Sequence, residues 1–124
     1  MSHEKSYSSP ASIISAQELR LKIDQVPDLV IINVLDEETY VDCHITGSIN
    51  IAYDNLVEIT SSWDKSKEVA VYCAEASCPI SSQASALLAD IGFTHVYVYS
   101  GGIKDWYKKG FDTTGACTKK YLHE

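Results

Sequence analysis
Three observations predict an α/β domain with three layers around a mainly parallel central β-sheet. Short β-prone runs alternate along the chain with segments whose apolar residues recur at helical spacing. The run from Leu29 to Val34 is nearly all apolar, as suits a strand covered on both faces. The 124 residues suffice for one core and leave no room for a second domain of ordinary size.

Residues 1–12 are rich in serine and contain Pro10, and read as an extended lead-in before Ile13 and Ile14. Ser15 with Glu18 forms a capping-box pattern, and Leu19, Ile23 and Val26 supply one apolar stripe, so a helix starts here and stops at Pro27–Asp28. The Leu29–Val34 strand follows. Asp36, Glu37 and Glu38 then suit a helix start, where backbone amides favour negative charge, with Tyr40 and Val41 expected toward the core. His44 to Ile51 read as a turn feeding a short strand, and 54–66 as weak helix plus loop with Leu56, Ile59 and Trp63 as core contacts. A strand runs from Glu68 to Cys73. Ile80, Ala84, Leu87, Leu88 and Ile91 form the apolar face of a helix that Ser81 or Ser82 would cap and Gly92 would end. His95 to Ser100 form the last clear strand, and Gly101–Gly102 turn the chain into a helix burying Ile103, Trp106 and Tyr107. The domain is expected over 12–113, with a flexible lead-in at 1–11 and a tail at 114–124 that carries little pattern.

Composition narrows the partners. Hydrophobic residues make up 45% and charged residues 22%, the balance of a globular chain rather than a disordered one. The formal charge is -7 and Arg20 is the sole arginine, which disfavours nucleic acid as a partner, because phosphate binding needs a clustered positive face. No run approaches the ~20 apolar residues that span a bilayer, and the first residues lack the order of a secretory signal. The expectation is a cytoplasmic protein, without a membrane partner and monomeric, with Cys43, Cys73, Cys78 and Cys117 as free thiols and Cys117 exposed.

Function narrows to the turn after the strand ending at Cys73. Ala74, Glu75, Ala76, Ser77, Cys78 and Pro79 lead into the next helix. A loop between a strand end and a helix N-terminus can aim backbone amides at one sulfur, and the helix dipole adds positive potential. Both favour thiolate, the nucleophilic form, and the same amides can hold a persulfide or an oxyanion. A buried structural cysteine is the competing reading.

The chain resembles a single-domain rhodanese, of the rhodanese-like sulfurtransferase family, over about 12–112. The resemblance rests on the Val30–Val34 strand followed by Asp36, Glu37, Glu38 and Tyr40; on His44-Ile45-Thr46-Gly47-Ser48-Ile49-Asn50; on the Val69–Cys73 strand; and on the run from Val96 to Trp106. It implies a three-layer rhodanese-like fold with Cys73 as the catalytic nucleophile. A small donor such as thiosulfate, or a persulfide-carrying protein, would leave its outer sulfur on Cys73, and a thiol, cyanide or protein acceptor would remove it. No organic cofactor and no metal are implied. Three positions depart from the family pattern. Asn33 and Leu35 stand where the family usually has an acid and an arginine, and Cys43 where it has a glycine; the Cys73 loop also holds Glu75 and Cys78 and is about two residues longer. Glu75 would oppose a dianionic sulfur donor if it faced the pocket.

Cys78, five residues beyond Cys73, is the candidate resolving thiol, provided the loop brings the two Cα atoms within about 7 Å. Ala74, Glu75, Ala76, Ser77, Ser81 and Ser82 are the expected substrate-binding residues. His44 is read as packing at its turn, and His3, His95 and His123 as lacking partners. No residue set has zinc-ligand spacing. A phosphatase use of the loop is disfavoured because no arginine closes it. The alternative to sulfur transfer is a catalytically weak or inactive domain that senses redox state or binds a protein through Cys73 and Cys78.

Overall fold
The computed structural model describes residues 11–124. Strands and helices alternate: β1 (Ala11–Ile14), α1 (Ala16–Gln25), β2 (Val30–Asn33), α2 (Glu37–Asp42), β3 (His44–Ile45), β4 (Ile49–Asn50), α3 (Leu56–Thr60), β5 (Glu68–Tyr72), α4 (Ile80–Asp90), β6 (His95–Tyr99), α5 (Gly102–Lys108) and β7 (Thr113–Thr114). Single 3-10 turns sit at Tyr53–Asn55 and Lys120–His123. The central sheet has the order β1-β6-β5-β2-β4, and every pairing in it is parallel. β3 and β7 make a separate antiparallel pair, with His44 opposite Thr114.

The apolar strands divide between two cores because successive side chains point to opposite faces. Ile31, Ala70 and Tyr72 face Leu19 of α1 and Ile103 and Trp106 of α5. Ile32, Val69, Val71 and Cys73 face Leu56 of α3 and Ala84 and Leu88 of α4. This two-sided burial is why β2 and β5 read as continuous apolar runs. Parallel strands set their C-terminal ends side by side, so β5 delivers Cys73 to the same edge at which β2 delivers Val34 and Leu35.

Local signals hold where they are strong. Ser15 caps α1: its hydroxyl accepts from the Glu18 amide, and Glu18 accepts from the Ser15 amide at 2.8 Å. Asp36 caps α2 through the Thr39 amide, as its sequence predicts. Four expectations fail. Ala11 and Ser12, read as lead-in, belong to β1, in which Ala11–Ile14 pair with Val96–Tyr99, a partner too distant for local pattern to indicate; the rest of the lead-in lies outside the described residues. Val41 and Ile59 are exposed: α3 buries Leu56 and Thr60, four residues apart on one face, which leaves Ile59 outside it, and α2 buries none of its residues. Neither Ser81 nor Ser82 caps α4; the helix begins at Ile80 after Pro79, with no side-chain cap, and places both serines in its first turn.

The fourth concerns the thiols. Cys43 and Cys117 form a disulfide, with Cα atoms 4.6 Å apart. Both are buried, so Cys117 is neither free nor exposed, and the free cysteines are Cys73 and Cys78. The segment after Thr114 is fastened onto α2. The Asp42 carboxylate accepts from the Thr118 amide and hydroxyl (3.0 and 2.8 Å) and from the Lys119 amide, and the Asp42 carbonyl accepts from the Cys117 amide at 2.7 Å. Gly115 has φ +114, and a Cβ there would lie 2.3 Å from the Asp42 carbonyl oxygen, so only glycine permits this approach. His123 is partnered as well, its Nε2 lying 3.0 Å from the Cys117 carbonyl.

Among the described residues no helix is long and apolar enough to cross a membrane.

Candidate active site
Cys73 continues the β5 alternation onto the α4 side, one residue beyond the strand, and is fully buried. Its loop is built by short-range bonds. The Cys78 amide donates to the Glu75 carbonyl at 3.0 Å, closing a tight turn, and the Cys73 thiol donates to the Cys78 carbonyl at 3.5 Å.

The loop is clasped from outside by α5. The amides of Ile103 and Lys104 donate to the carbonyls of Cys73 and Ala74, each at 2.9 Å. Gly102 makes this possible, because with φ +73 a Cβ on it would stand 2.7 Å from the Cys73 oxygen, the Ala74 carbonyl carbon and the Glu75 nitrogen. The first amides of α5 are therefore spent on the loop backbone. Buried Ser81, in the first turn of α4, lies beside the sulfur, where its hydroxyl and amide favour the thiolate form.

The balance at Cys73 runs against the expectation of a standing thiolate. Burial pushes the thiol up from its ordinary value and Cys78 adds to this, while the Ser81 hydroxyl and amide pull the other way without prevailing. One residue's donors do not offset the loss of water around the charge. The resting thiol stays protonated near neutral pH.

Glu75, Ala76 and Ser77 line a groove of about 400 Å³ together with Gly101, Lys104, Asp105 and Lys108. Glu75 lines this groove, yet its charge is opposed, since Lys104 Nζ lies 3.5 Å away. Asp105 is likewise occupied, accepting from the Tyr99 hydroxyl at 2.6 Å and pairing with Lys109. Lys108 is exposed and makes no ion pair among the described residues. The groove is thus closer to neutral than Glu75 alone implies.

Beside the loop, Asn33 is fully buried and its Oδ1 accepts from the Leu35 amide at 2.9 Å, while Asn50 Nδ2 donates to the carbonyls of Asn33 and Leu35. An asparagine keeps the acceptor oxygen that shapes this turn and dispenses with the charge; its own Nδ2 has no partner among the described residues. Below it the Tyr72 hydroxyl accepts from the Ile45 amide at 3.0 Å. Ser48 gives its proton to the Ile45 carbonyl, so at 2.8 Å Tyr72 donates to Ser48. Burial pushes the Tyr72 phenol up to about 12. His44 stacks on Tyr40 with centroids 3.9 Å apart, and its Nδ1 donates to the Tyr40 carbonyl, a packing role.

Of the residues singled out from the sequence, Cys73, Cys78 and Ser81 come together, Ala74 is held through its carbonyl, and Glu75, Ala76 and Ser77 border the groove. Ser82 is exposed on the outer side of α4 and joins none of them. Sequence reasoning missed Gly102 as the residue that lets α5 seat on the loop; a glycine pair after a strand was its only signal. The packing of Tyr121 against the core of Tyr72, Tyr99 and Ile103 was likewise not read from the sequence.

A family model described as the rhodanese-like domain matches residues 15–109. The chain is 38% identical over 80 residues to the thiosulfate sulfurtransferase GlpE of Coxiella burnetii (strain RSA 331 / Henzerling II), which covers 64% of this chain and 72% of that protein. Among solved structures it resembles the rhodanese-like domain of the Alr3790 protein from Anabaena sp., with TM-score 0.75, 33% identity and coverage of 86% of this chain and 81% of the other. The BH2092 protein from Bacillus halodurans aligns with TM-score 0.77 and 26% identity over 93% of this chain and 83% of its own. With the parallel sheet presenting its cysteine loop at the expected edge and the family pattern spanning most of the chain, the protein belongs to the rhodanese-like domain family.

Proposed function
We propose that the protein is a sulfurtransferase that carries sulfane sulfur on Cys73. The observation that supports this reading is the placement of Cys73 just past a central parallel strand, in a loop clasped by α5 and beside Ser81. The relatives named as thiosulfate sulfurtransferases agree with it. The Cys73 thiolate attacks the outer sulfur of thiosulfate; a bond forms between the two sulfurs, the donor's own sulfur–sulfur bond breaks, and sulfite leaves with the electron pair. A persulfide-carrying protein serves equally as donor and departs as a thiolate. The acceptor, whether cyanide, a small thiol or a protein thiol, then attacks the outer sulfur of the persulfide and the Cys73 thiolate is released. Because burial keeps Cys73 protonated at rest, the thiol first gives up its proton to solvent water, and the thiolate fraction so formed makes the attack. No cofactor or metal enters these steps, and the protein acts as a monomer.

Cys78 is the resolving thiol in this reading. Its thiolate attacks the inner sulfur of the persulfide, hydrosulfide leaves, and a Cys73–Cys78 disulfide closes. The Cys73 thiol already donates to the Cys78 carbonyl, so the two residues are adjacent in the folded loop. A second reading, redox sensing or protein binding without turnover, draws support from the complete burial and suppressed ionisation of Cys73. Intact-mass measurement after thiosulfate or persulfide treatment separates the two. Wild type should gain one reducible sulfur, Cys73→Ser none, and Cys78→Ser should hold the gain longer; a wild type that never gains sulfur, or a gain that survives loss of Cys73, rejects the transferase reading.

A further inference from the structure
Cys117 is held in a backbone conformation that its side chain resists. With φ +54 it is the single non-glycine residue in the left-handed region among the described residues. Three contacts fix it there: the bridge to Cys43, its amide donating to the Asp42 carbonyl at 2.7 Å, and its carbonyl 3.0 Å from His123 Nε2. The chain around it is exposed at Gly115, Ala116 and Thr118, and within 115–124 the buried residues are Cys117 and Leu122. A segment with two buried side chains, one of them tied covalently, falls to the low-stability end of a fold once that tie is cut.

The tail in turn holds α5. Its 3-10 turn, Lys120–His123, packs on that helix: Leu122 shares a core with Ile103 and Trp106, and the His123 ring meets Tyr107 edge-on with centroids 5.4 Å apart. At its other end α5 gives the amides of Ile103 and Lys104 to the carbonyls of Cys73 and Ala74, each at 2.9 Å. Bridge, turn, helix and loop are thus joined contact by contact, and in this bridged form Cys73 is fully buried. We propose that the Cys43–Cys117 bridge is a redox-controlled latch on the Cys73 loop. Closed, it keeps the tail on α5 and α5 on the loop, so the thiol stays covered. Opened by a dithiol reductant, it frees the tail, loosens α5 and admits sulfur donors to Cys73. As regulation of sulfur transfer this rests on the reading above; as control of access to Cys73 it stands apart from it.

Opening takes two thiol–disulfide exchanges. A thiolate of the reductant attacks the Cys117 sulfur, since Cys117 is 7% exposed and Cys43 0%. A mixed disulfide forms, the Cys43–Cys117 bond breaks, and Cys43 leaves with the electron pair as a thiolate. The second thiolate of the reductant then attacks the reductant's own sulfur in the mixed disulfide and Cys117 leaves. Both cysteines take up protons, and the reductant ends as a cyclic disulfide that has given up two electrons. A groove of about 560 Å³ lined by Asp42, Gly115, Ala116, Thr118 and Lys119 brackets both cysteines along the chain, so the bridge lies one residue beneath an open surface. Release of Cys117 from its left-handed conformation favours the open state.

The test uses the full chain carrying Cys78→Ser, so that Cys73 is the one thiol outside the bridge. The protein is prepared oxidised, then reduced with dithiothreitol and freed of it, then reoxidised. Iodoacetamide labelling of Cys73 is followed by peptide mass at one pH. Reduction should raise its rate by about 5- to 150-fold, the usual span of coupling between two sites, and reoxidation should restore the slow rate. Amide exchange at 115–123, Ile103 and Lys104 should quicken while β2, β5 and α4 stay protected. Leu122→Ala, which unseats the turn with the bridge intact, should speed labelling of the oxidised protein. Equal Cys73 rates in the two redox states, loss of protection throughout the sheet on reduction, or an unchanged rate in Leu122→Ala overturns the latch. Thiosulfate should load sulfur on Cys73 faster after reduction. If Cys73 loads in neither state while its labelling still follows the bridge, the transferase reading fails and the latch stands.

Discussion

Gly102 lies so close to the Cys73 carbonyl that a Cβ on it would stand 2.7 Å from that oxygen, and its φ of +73 is one that side chains resist. The α5 amides reach the loop only because this position is bare. Gly102→Ala must therefore either lift α5 off the loop or distort both. The expected cost is about 1–3 kcal/mol, and Cys73 should become more accessible as the clasp loosens. Denaturant midpoints and the rate of Cys73 alkylation check the two halves; an unchanged midpoint contradicts the packing described.

Cys73 should alkylate slowly at neutral pH and accelerate only at a pH above the ordinary cysteine value of 9.0, because burial opposes its ionisation. Ser81→Ala should move that rise further upward, since it removes the hydroxyl that stabilises the thiolate. The linkage sign follows. A thiol whose folded value is raised binds its proton more tightly when folded, so the associated stability is present below 9.0 and is lost as pH rises through the folded value. Iodoacetamide kinetics against pH, with Cys78→Ser as background, measure the shift.

Loss of the Cys43–Cys117 bridge should lower stability more than any other change proposed for this protein. The bridge spans 74 residues of sequence, for which the chain-entropy argument gives ~4 kcal/mol. Reductant should lower the melting temperature of wild type and leave a Cys43→Ala, Cys117→Ala protein unmoved. Equal melting with and without reductant in wild type would argue that the bridge does not form.

The Asp42 fastening should weaken in acid. Burial alone would raise this carboxyl, yet the bonds from Thr118 and Lys119 hold it below 3.8. A depressed folded value contributes stability that is present above 3.8 and lost as pH falls through the folded value. Asp42→Asn should therefore flatten the acid limb of the stability profile and speed amide exchange at Thr118 and Lys119.

Lys108 offers a cation at the groove rim that no described carboxylate engages. Lys108→Glu should raise KM for thiosulfate several-fold, with the increase shrinking as salt is added, because the effect is one of exposed charge. The melting temperature should hardly move.

Much of the frame was legible in the sequence because local physics repeats there. Ser15 with Glu18, Asp36 before Glu37, and the apolar runs at β2 and β5 all act through near neighbours. The strand-end position of Cys73 was legible for the same reason. What stayed hidden depends on distant contacts. β1 takes its strand character from β6, more than eighty residues away, and the cysteine bridge and Tyr121 depend on where the tail folds back. The ionisation of Cys73 was misjudged for a related reason: a loop between a strand end and a helix does not tell which amides reach the sulfur or how deeply it is buried, and the Cys78 amide bonds to the Glu75 carbonyl instead.

The bridge between Cys43 and Cys117 also closes most of the chain into a covalent ring that contains the Cys73 loop, α4 and α5. A single proteolytic cut inside that ring leaves both pieces tethered, and tension applied to the two ends bypasses the ring through the sulfur–sulfur bond. Pulled or nicked, the protein can lose β1, α1 and β2 from the outside while the segment bearing its reactive cysteine remains one closed loop until a reductant opens it.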